Sequence, residues 1–240
     1  MTWSIIARDE QGRFGIAIAS RFFAVGALCV HARGGVGALC TQALMNPTYG
    51  PRGLAMLAEG RSAAQVVAAL TGSDAGRSQR QLHLLPARGA GAAHTGGDCI
   101  GWCGHWQRED FSVAGNMLAG ESVIVATAAA YVAHSDLPLA ERLIMAMRAG
   151  EAEGGDKRGR QSAALRIQGA EDYPELDLRA DDHPDPLGEL QRLYAVSLER
   201  FQPFIACLPR RAQPAGELDR ERIEQHITEF HAAHRKAPKT

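Results

Sequence analysis

Through the first half of the chain, apolar positions fall in short runs broken by turn-forming residues. Thr2–Arg8 (TWSIIAR) and Phe14–Ser20 (FGIAIAS) are rich in β-branched and aromatic residues, and Asp9-Glu10-Gln11-Gly12-Arg13 separates them. This pattern predicts a β-hairpin. Gly26–Ala32 and Val36–Gln42 predict a second strand pair around Arg33-Gly34-Gly35. Both alternating faces of these runs are apolar, so the sheet is expected to be covered on both sides. The spacing turns helical over Gly53–Ala58 and Ala63–Leu70, with Ser62 and Gln65 placed as a capping box. Strands are expected at Gln81–Ala87, Gly91–Thr95 and Phe111–Met117. Helices are expected at Ser122–His134 and Leu139–Ala149, with Pro138 in the first turn and Gly150 past the end. Gln161–Gln168 and Leu176–Ala180 predict closing strands. Beyond them only helical spacing remains, over Leu187–Cys207 and Leu218–His234.

This order predicts an α+β fold. Its economical form is a four-layer αββα sandwich, with two antiparallel sheets between helix layers and a C-terminal helical hairpin added. The first four strands are joined by links too short for parallel crossovers. Glycine marks the boundary: 24 of 26 Gly lie at or before Gly169, whereas 7 of 11 Pro lie after it. We expect a core over residues 1–185 and a helical extension over 186–240. The extension should pack on the core or on a partner subunit, in a homo-oligomer such as a homodimer.

Hairpin register points to a site. With Arg8 opposite Phe14, Thr2 lies opposite Ser20. With Ala32 opposite Gly35, Gln42 lies across from Val25. The N-terminus, Ser20–Arg21, Val25–Gly26 and Thr41–Gln42 then converge at one sheet end. Removal of Met1 would leave Thr2 with a free α-amine, whose pKa near ~7.7–8.0 suits a general base beside its own hydroxyl. The other reading of Thr2 is a β-former that starts a strand.

The runs MTWSIIARD, GIAIASRFFAVGA, TQALMNPTYGPRG, RQLHLL, FSVAGNMLAG, GGDKRGRQSAAL and DDHPDP resemble an uncharacterised family, domain of unknown function 1028 (DUF1028). The resemblance spans roughly residues 1–190. It implies the N-terminal nucleophile (Ntn) hydrolase fold, and with it an amidohydrolase acting on a small substrate. Carried over by position, Thr2 matches the nucleophile. Arg21 matches the basic residue that ends the second strand in proteasome-type members. Thr41 and Gln42 end the strand that supplies oxyanion-hole backbone. Asn116 is expected as an amide donor to the oxyanion. One departure is clear: the Lys that proteasome-type sites place beside the nucleophile has no counterpart, since Arg33 is expected at the opposite sheet end.

Other motifs carry two readings each. The Asn46–Gly53 run is a tight loop or a pocket wall with Asn46, Tyr49 and Arg52 as contacts. Gly154–Ser162 is a solvated loop or a site loop, with Asp156 and Ser162 beside the nucleophile and Arg158 or Arg160 for a carboxylate. Ser20 and His94 are further candidate substrate contacts. His94, Cys99, Cys103 and His105 have zinc-ligand chemistry but not the usual spacing, so the cysteines are expected to pack beside Trp102 and Trp106. Asp181–Pro186 is a metal or general-acid cluster, or an acidic linker.

Charge and composition narrow the partners. With 26 Lys+Arg against 27 Asp+Glu, a polyanionic nucleic-acid partner is not expected, although a small anionic substrate is. No apolar run is long enough for a membrane span. Five cysteines in a chain of this length, without a signal-like start, predict a cytoplasmic protein. No cofactor and no metal are expected. The rival function is a non-catalytic small-ligand binding module on the same scaffold, and a third is a metal-assisted hydrolase.

Overall fold

The computed structural model describes residues 2–235. They form a mixed α+β structure with two antiparallel sheets and eight α-helices among the described residues. The first sheet contains β1 (Thr2–Arg8), β2 (Phe14–Ser20), β7 (Trp102–Gln107), β8 (Phe111–Leu118), β9 (Ser162–Gln168) and β10 (Leu176–Ala180), in the order β10-β9-β2-β1-β8-β7. The second contains β3 (Val30–Arg33), β4 (Gly37–Ala43), β5 (Arg80–Pro86) and β6 (Ala92–Thr95), in that order.

The first hairpin has the expected register, Arg8 opposite Phe14 and Thr2 opposite Ser20. Its turn is held by Asp9, whose Oδ1 accepts the backbone N–H groups of Gln11 and Arg13, while Gly12 takes φ +77°. The second pair differs from expectation. Val25–Cys29 is a short helix, α1, and β3 begins only at Val30. The Ser162 hydroxyl accepts the Val25 N–H, and Gly26 lies so close to Ala164 that an added Cβ would stand 2.3 Å from it. These contacts, made more than 130 residues away in sequence, override local strand composition. The turn is also wider, so Ala32 pairs with Ala38 rather than Gly35.

Alternation assigns the faces. Along β1, Trp3, Ile5 and Ala7 point one way, while Thr2, Ser4 and Ile6 point the other. Helices α4 (Ser122–Ala133) and α5 (Leu139–Ala152) lie on the Trp3 side, where Tyr131 packs on Phe111 and Leu143 on Gly15. Gly150 lies inside α5 rather than past its end, because a Cβ there would stand 2.2 Å from Thr127 Oγ1. On the other side, Ile6, Phe14 and Ile16 pack against Ala38, Cys40 and Leu85 of the second sheet. The outer face of the second sheet is covered by α2 (Tyr49–Ala58) and α3 (Ala63–Gly72), through Leu39, Leu82 and Leu84 against Leu54, Leu57, Val66 and Leu70. Burying each such side chain contributes about 1.5–3 kcal/mol. The Ser62–Gln65 capping box at α3 is formed in both directions.

Strand β7 was not anticipated, because its burial is only partial and its composition mixed. The chain divides into two compact units, Met1–Gln191 and Arg192–Thr240. The first ends within α6 (Pro186–Glu199). The second also holds α7 (Phe201–Ile205) and α8 (Arg220–Arg235), where Arg200 pairs with Glu224. No helix among the described residues is long and apolar enough to cross a membrane.

Candidate active site

Register lines up four polar side chains across the first sheet. Thr2 pairs with Ser20 on one side and Asn116 on the other, and Ser20 pairs with Ser162. All four lie on the face that meets the second sheet, and all are buried, Thr2 retaining 6% exposure. The Thr2 and Ser20 hydroxyls are 3.0 Å apart. Ser162 is occupied: it accepts the Val25 N–H at 3.1 Å and donates to the Phe22 carbonyl, anchoring the link between β2 and α1.

The Gly154–Ser162 loop reaches the same sheet end. Gly154 and Gly155 adopt positive φ, and Asp156 bridges to Leu118 at the end of β8. The buried Asp156 carboxylate accepts the Arg21 N–H at 2.7 Å and the Arg158 N–H at 2.9 Å, and pairs with the Arg158 guanidinium at 3.2 Å. Arg158 is therefore committed to Asp156. The Arg21 side chain is exposed and donates to the Arg158 carbonyl at 3.1 Å. It is the Arg21 backbone, not its guanidinium, that faces Asp156.

Two expected oxyanion donors are otherwise engaged. Gln42 accepts from Ser4 Oγ at 2.7 Å and donates to Gln81 Oε1 at 2.8 Å. Asn116 Nδ2 donates to Gln81 Oε1 at 3.0 Å and to the Thr2 carbonyl at 3.4 Å. Both acceptors fix the amide orientation, which leaves Asn116 Oδ1 buried with no partner among the described residues. Asn116 thus offers a spare acceptor beside Thr2, not a spare donor. Thr41 points away from this face, and its hydroxyl accepts the Asn46 N–H.

Asn46 and Tyr49 are drawn elsewhere. Both donate to Asp74 Oδ2, at 3.0 and 2.7 Å, and Arg80 joins them at 3.0 Å. Those hydrogen bonds, from Tyr49 first, hold the Asp74 carboxyl well below the usual carboxylate range, and burial with Asp74 beside it pushes the Tyr49 phenol up. The pair anchors the β4–α2 link. His94 bonds the Arg77 carbonyl at 2.8 Å. His94, Cys99, Cys103 and His105 do not converge: among the described residues, no three His, Cys, Asp or Glu side chains group as metal ligands.

A second polar cluster had no forecast. Ser4 Oγ lies 2.8 Å from His83 Nε2, and His83 Nδ1 lies 2.9 Å from Ser112 Oγ. Because Ser4 donates its one proton to Gln42, it must accept from His83, so the ring carries its proton on Nε2. Ser112 then donates to Nδ1. Gln81 Nε2 completes the cluster against Thr95 Oγ1 and the carbonyls of Gly104 and Gly115. Burial pushes the His83 pKa down to about 3, so the ring is neutral. The available signal was polar residues at alternate positions inside apolar strands: Thr2 with Ser4, Gln81 with His83.

Residues 2–190 match a family model described as "Family of unknown function (DUF1028)". Among solved structures, the crystal structure of protein SPO2555 from Silicibacter pomeroyi, described with the same family model, is 31% identical. The match covers 91% of this chain and 96% of that one, with a TM-score of 0.83. Anbu (ancestral beta-subunit) from Yersinia bercovieri is 14% identical over 82% of this chain and 94% of that one, at a TM-score of 0.43. No curated protein matches the chain.

Proposed function

Starting from the premise that the chain belongs to the DUF1028 family, we propose that it is an N-terminal-nucleophile hydrolase with the four-layer αββα sandwich of that class. It cleaves an amide or related C–N acyl bond of a small cytoplasmic substrate. Thr2 is the nucleophile once Met1 has been removed. The observation that carries this reading is the polar row at the start of β1, where the Thr2 hydroxyl meets Ser20 Oγ at 3.0 Å beside an unpartnered buried acceptor.

The chemistry follows from those groups. The neutral Thr2 α-amine takes the proton from Oγ as Oγ bonds to the scissile carbonyl carbon. The tetrahedral intermediate collapses as the ammonium returns that proton to the leaving nitrogen, and the C–N bond breaks. Water then attacks the threonyl ester, the amine again accepting a proton, and the acid leaves as Oγ is reprotonated. A buried acceptor without a partner costs about 1–3 kcal/mol. Removal of Met1 would create the base and a new donor on the residue paired with Asn116, whose Oδ1 has no partner among the described residues. Ser20 fixes the Thr2 hydroxyl. With the Gln42 and Asn116 amide donors engaged, the oxyanion falls to backbone N–H groups.

One observation favours the rival, a small-ligand binding module: with Met1 attached, Thr2 keeps only 6% exposure. Two measurements separate the readings. Intact mass must show loss of Met1. A screen of small amides must give turnover with the wild type and none with Thr2→Ala. Retained Met1 in the isolated, active protein would sink the α-amine mechanism.

A further inference from the structure

Two loops that the hydrolytic step leaves unused flank an open cleft next to Arg21. It measures about 230 Å³ and is lined by Arg21, Arg160, Gln161, Asp182, His183 and Pro184. The His183 N–H donates to the Gln161 carbonyl, and the Gln161 amide donates to Asp182 Oδ1, which ties the two loops together.

The cavity wall is rich in donors. The Arg21 guanidinium has a neutral carbonyl as its partner and no carboxylate in ion-pair reach among the described residues. Arg160, half-exposed, is shared between Glu151 at 3.2 Å and Asp185 at 3.7 Å. His183 Nδ1 accepts the Asp185 N–H, which leaves Nε2–H as the ring's donor. Asp182, the one acidic residue of the lining, already accepts from Gln161. Arg160 is already matched by Glu151 and Asp185, so Arg21 is the lining cation open to an anionic ligand.

Arg160 also lines a second cavity of about 160 Å³, whose wall includes Trp3, Ala19, Pro186 and Ser20. That wall is mainly apolar, and with Trp3 and Ala19 it lies on the helix side of the first sheet, behind the Thr2 hydroxyl.

We infer that the amide cleaved at Thr2 belongs to a small substrate bearing a carboxylate. Arg21 and His183 Nε2–H hold the carboxylate. The guanidinium fork matches a planar carboxylate in geometry and charge. This inference rests on the hydrolase reading for its substrate, but the carboxylate site itself can be tested without turnover.

The test is calorimetric binding of N-acetylglycine, its neutral analogue N-acetylglycinamide, and inorganic phosphate to the full-length wild type and to Thr2→Ala. N-acetylglycine should bind both proteins alike, at least tenfold more tightly than the amide or phosphate. Arg21→Gln should weaken it tenfold or more. The Arg21 side chain is exposed, so this variant should keep the wild-type melting temperature. Lys157→Gln, a cation of the same loop outside both cavities, should change it less than twofold. Absence of binding, equal binding of acid and amide, equal binding of phosphate, or equal effects of the two charge variants would each overturn the site. Carboxylate binding without cleavage by either protein leaves the site standing and removes the hydrolase reading. Cleavage that ignores the carboxylate does the reverse.

Discussion

Two buried polar regions lie between the two sheets, two to four residues apart along β1 and β8, and they are built on opposite principles. The deeper one, around His83, is closed. Ser4, Gln42, Gln81, His83 and Ser112 each give and receive hydrogen bonds in one consistent direction. The outer one, around Thr2, is open at one point: beside the Thr2–Ser20 hydroxyl pair the Asn116 amide oxygen has no partner among the described residues. A closed network specifies how two sheets dock, since every member fails together if the register slips. An open one keeps unspent hydrogen-bonding capacity where a substrate or a charged amine can use it. Burial of polar groups is therefore not by itself the mark of the site, and incomplete satisfaction points to it only beside a nucleophile, since Trp3 Nε1 and Arg166 Nε are also buried without a partner among the described residues.

The largest effect expected from breaking this comparison is on chemistry. Thr2→Ala should lower turnover by at least ~10⁴-fold, as loss of a nucleophile does. Its stability should change by less than ~1 kcal/mol, because one hydroxyl contact is lost in a region already incompletely paired. Urea titration beside the amide assay reads both. A large loss of stability would place Thr2 in the closed class.

The closed region should answer in the opposite way. His83→Ala removes a fully buried ring and strands the hydroxyls of Ser4 and Ser112. The cavity and the unsatisfied groups together should cost about 3–5 kcal/mol, read as a lower urea midpoint. A loss below ~1 kcal/mol would mean that the sheets dock without the network.

Much of the fold was legible and the two regions were legible unequally. The first hairpin declared itself because Asp9 and Gly12 fix its turn locally, and its register carried Thr2 to Ser20. Family resemblance added Asn116 and Ser162. The α1 helix was hidden, since Val25 and Gly26 are set by Ser162 and Ala164 rather than by their neighbours. Asn46 and Tyr49 look like site residues in sequence because their true partner, Asp74, lies 25 or more residues away. The closed network was missed because its members occupy core positions of apolar strands, where a lone polar residue is read singly. Only the pairing of β4, β5 and β8 across the interior shows that they belong together.

A pH titration sharpens the contrast with a smaller effect. The unfolded chain protonates His83 near 6.5, whereas in the folded state its pKa is pushed down to about 3. Between those values the unfolded state binds more protons, so stability falls as the pH falls from 6.5 towards 3 and is fully present above 6.5. The slope approaches ~1.4 kcal/mol per pH unit, or roughly 2 kcal/mol between pH 6.5 and 5. Burial also lowers the pKa of His31 and His105, so the informative quantity is wild type minus His83→Gln. That difference should shrink as the pH falls. A difference that is flat between pH 6.5 and 5 would mean that the ring titrates as if exposed, and the network would not be closed.

The smallest effect comes from a satisfied polar group outside both regions. Ser62 caps α3, its hydroxyl accepting the Gln65 N–H at 3.3 Å while the Gln65 side chain accepts the Ser62 N–H at 2.9 Å. These bonds are exposed, so water can replace them when the hydroxyl is removed. Ser62→Ala should cost about 1 kcal/mol and leave turnover unchanged. The ratio of this loss to that of His83→Ala measures what burial adds to a satisfied hydrogen bond. If the two losses match, solvent reaches the space between the sheets, and the distinction between a closed interior and an open site would rest on position alone.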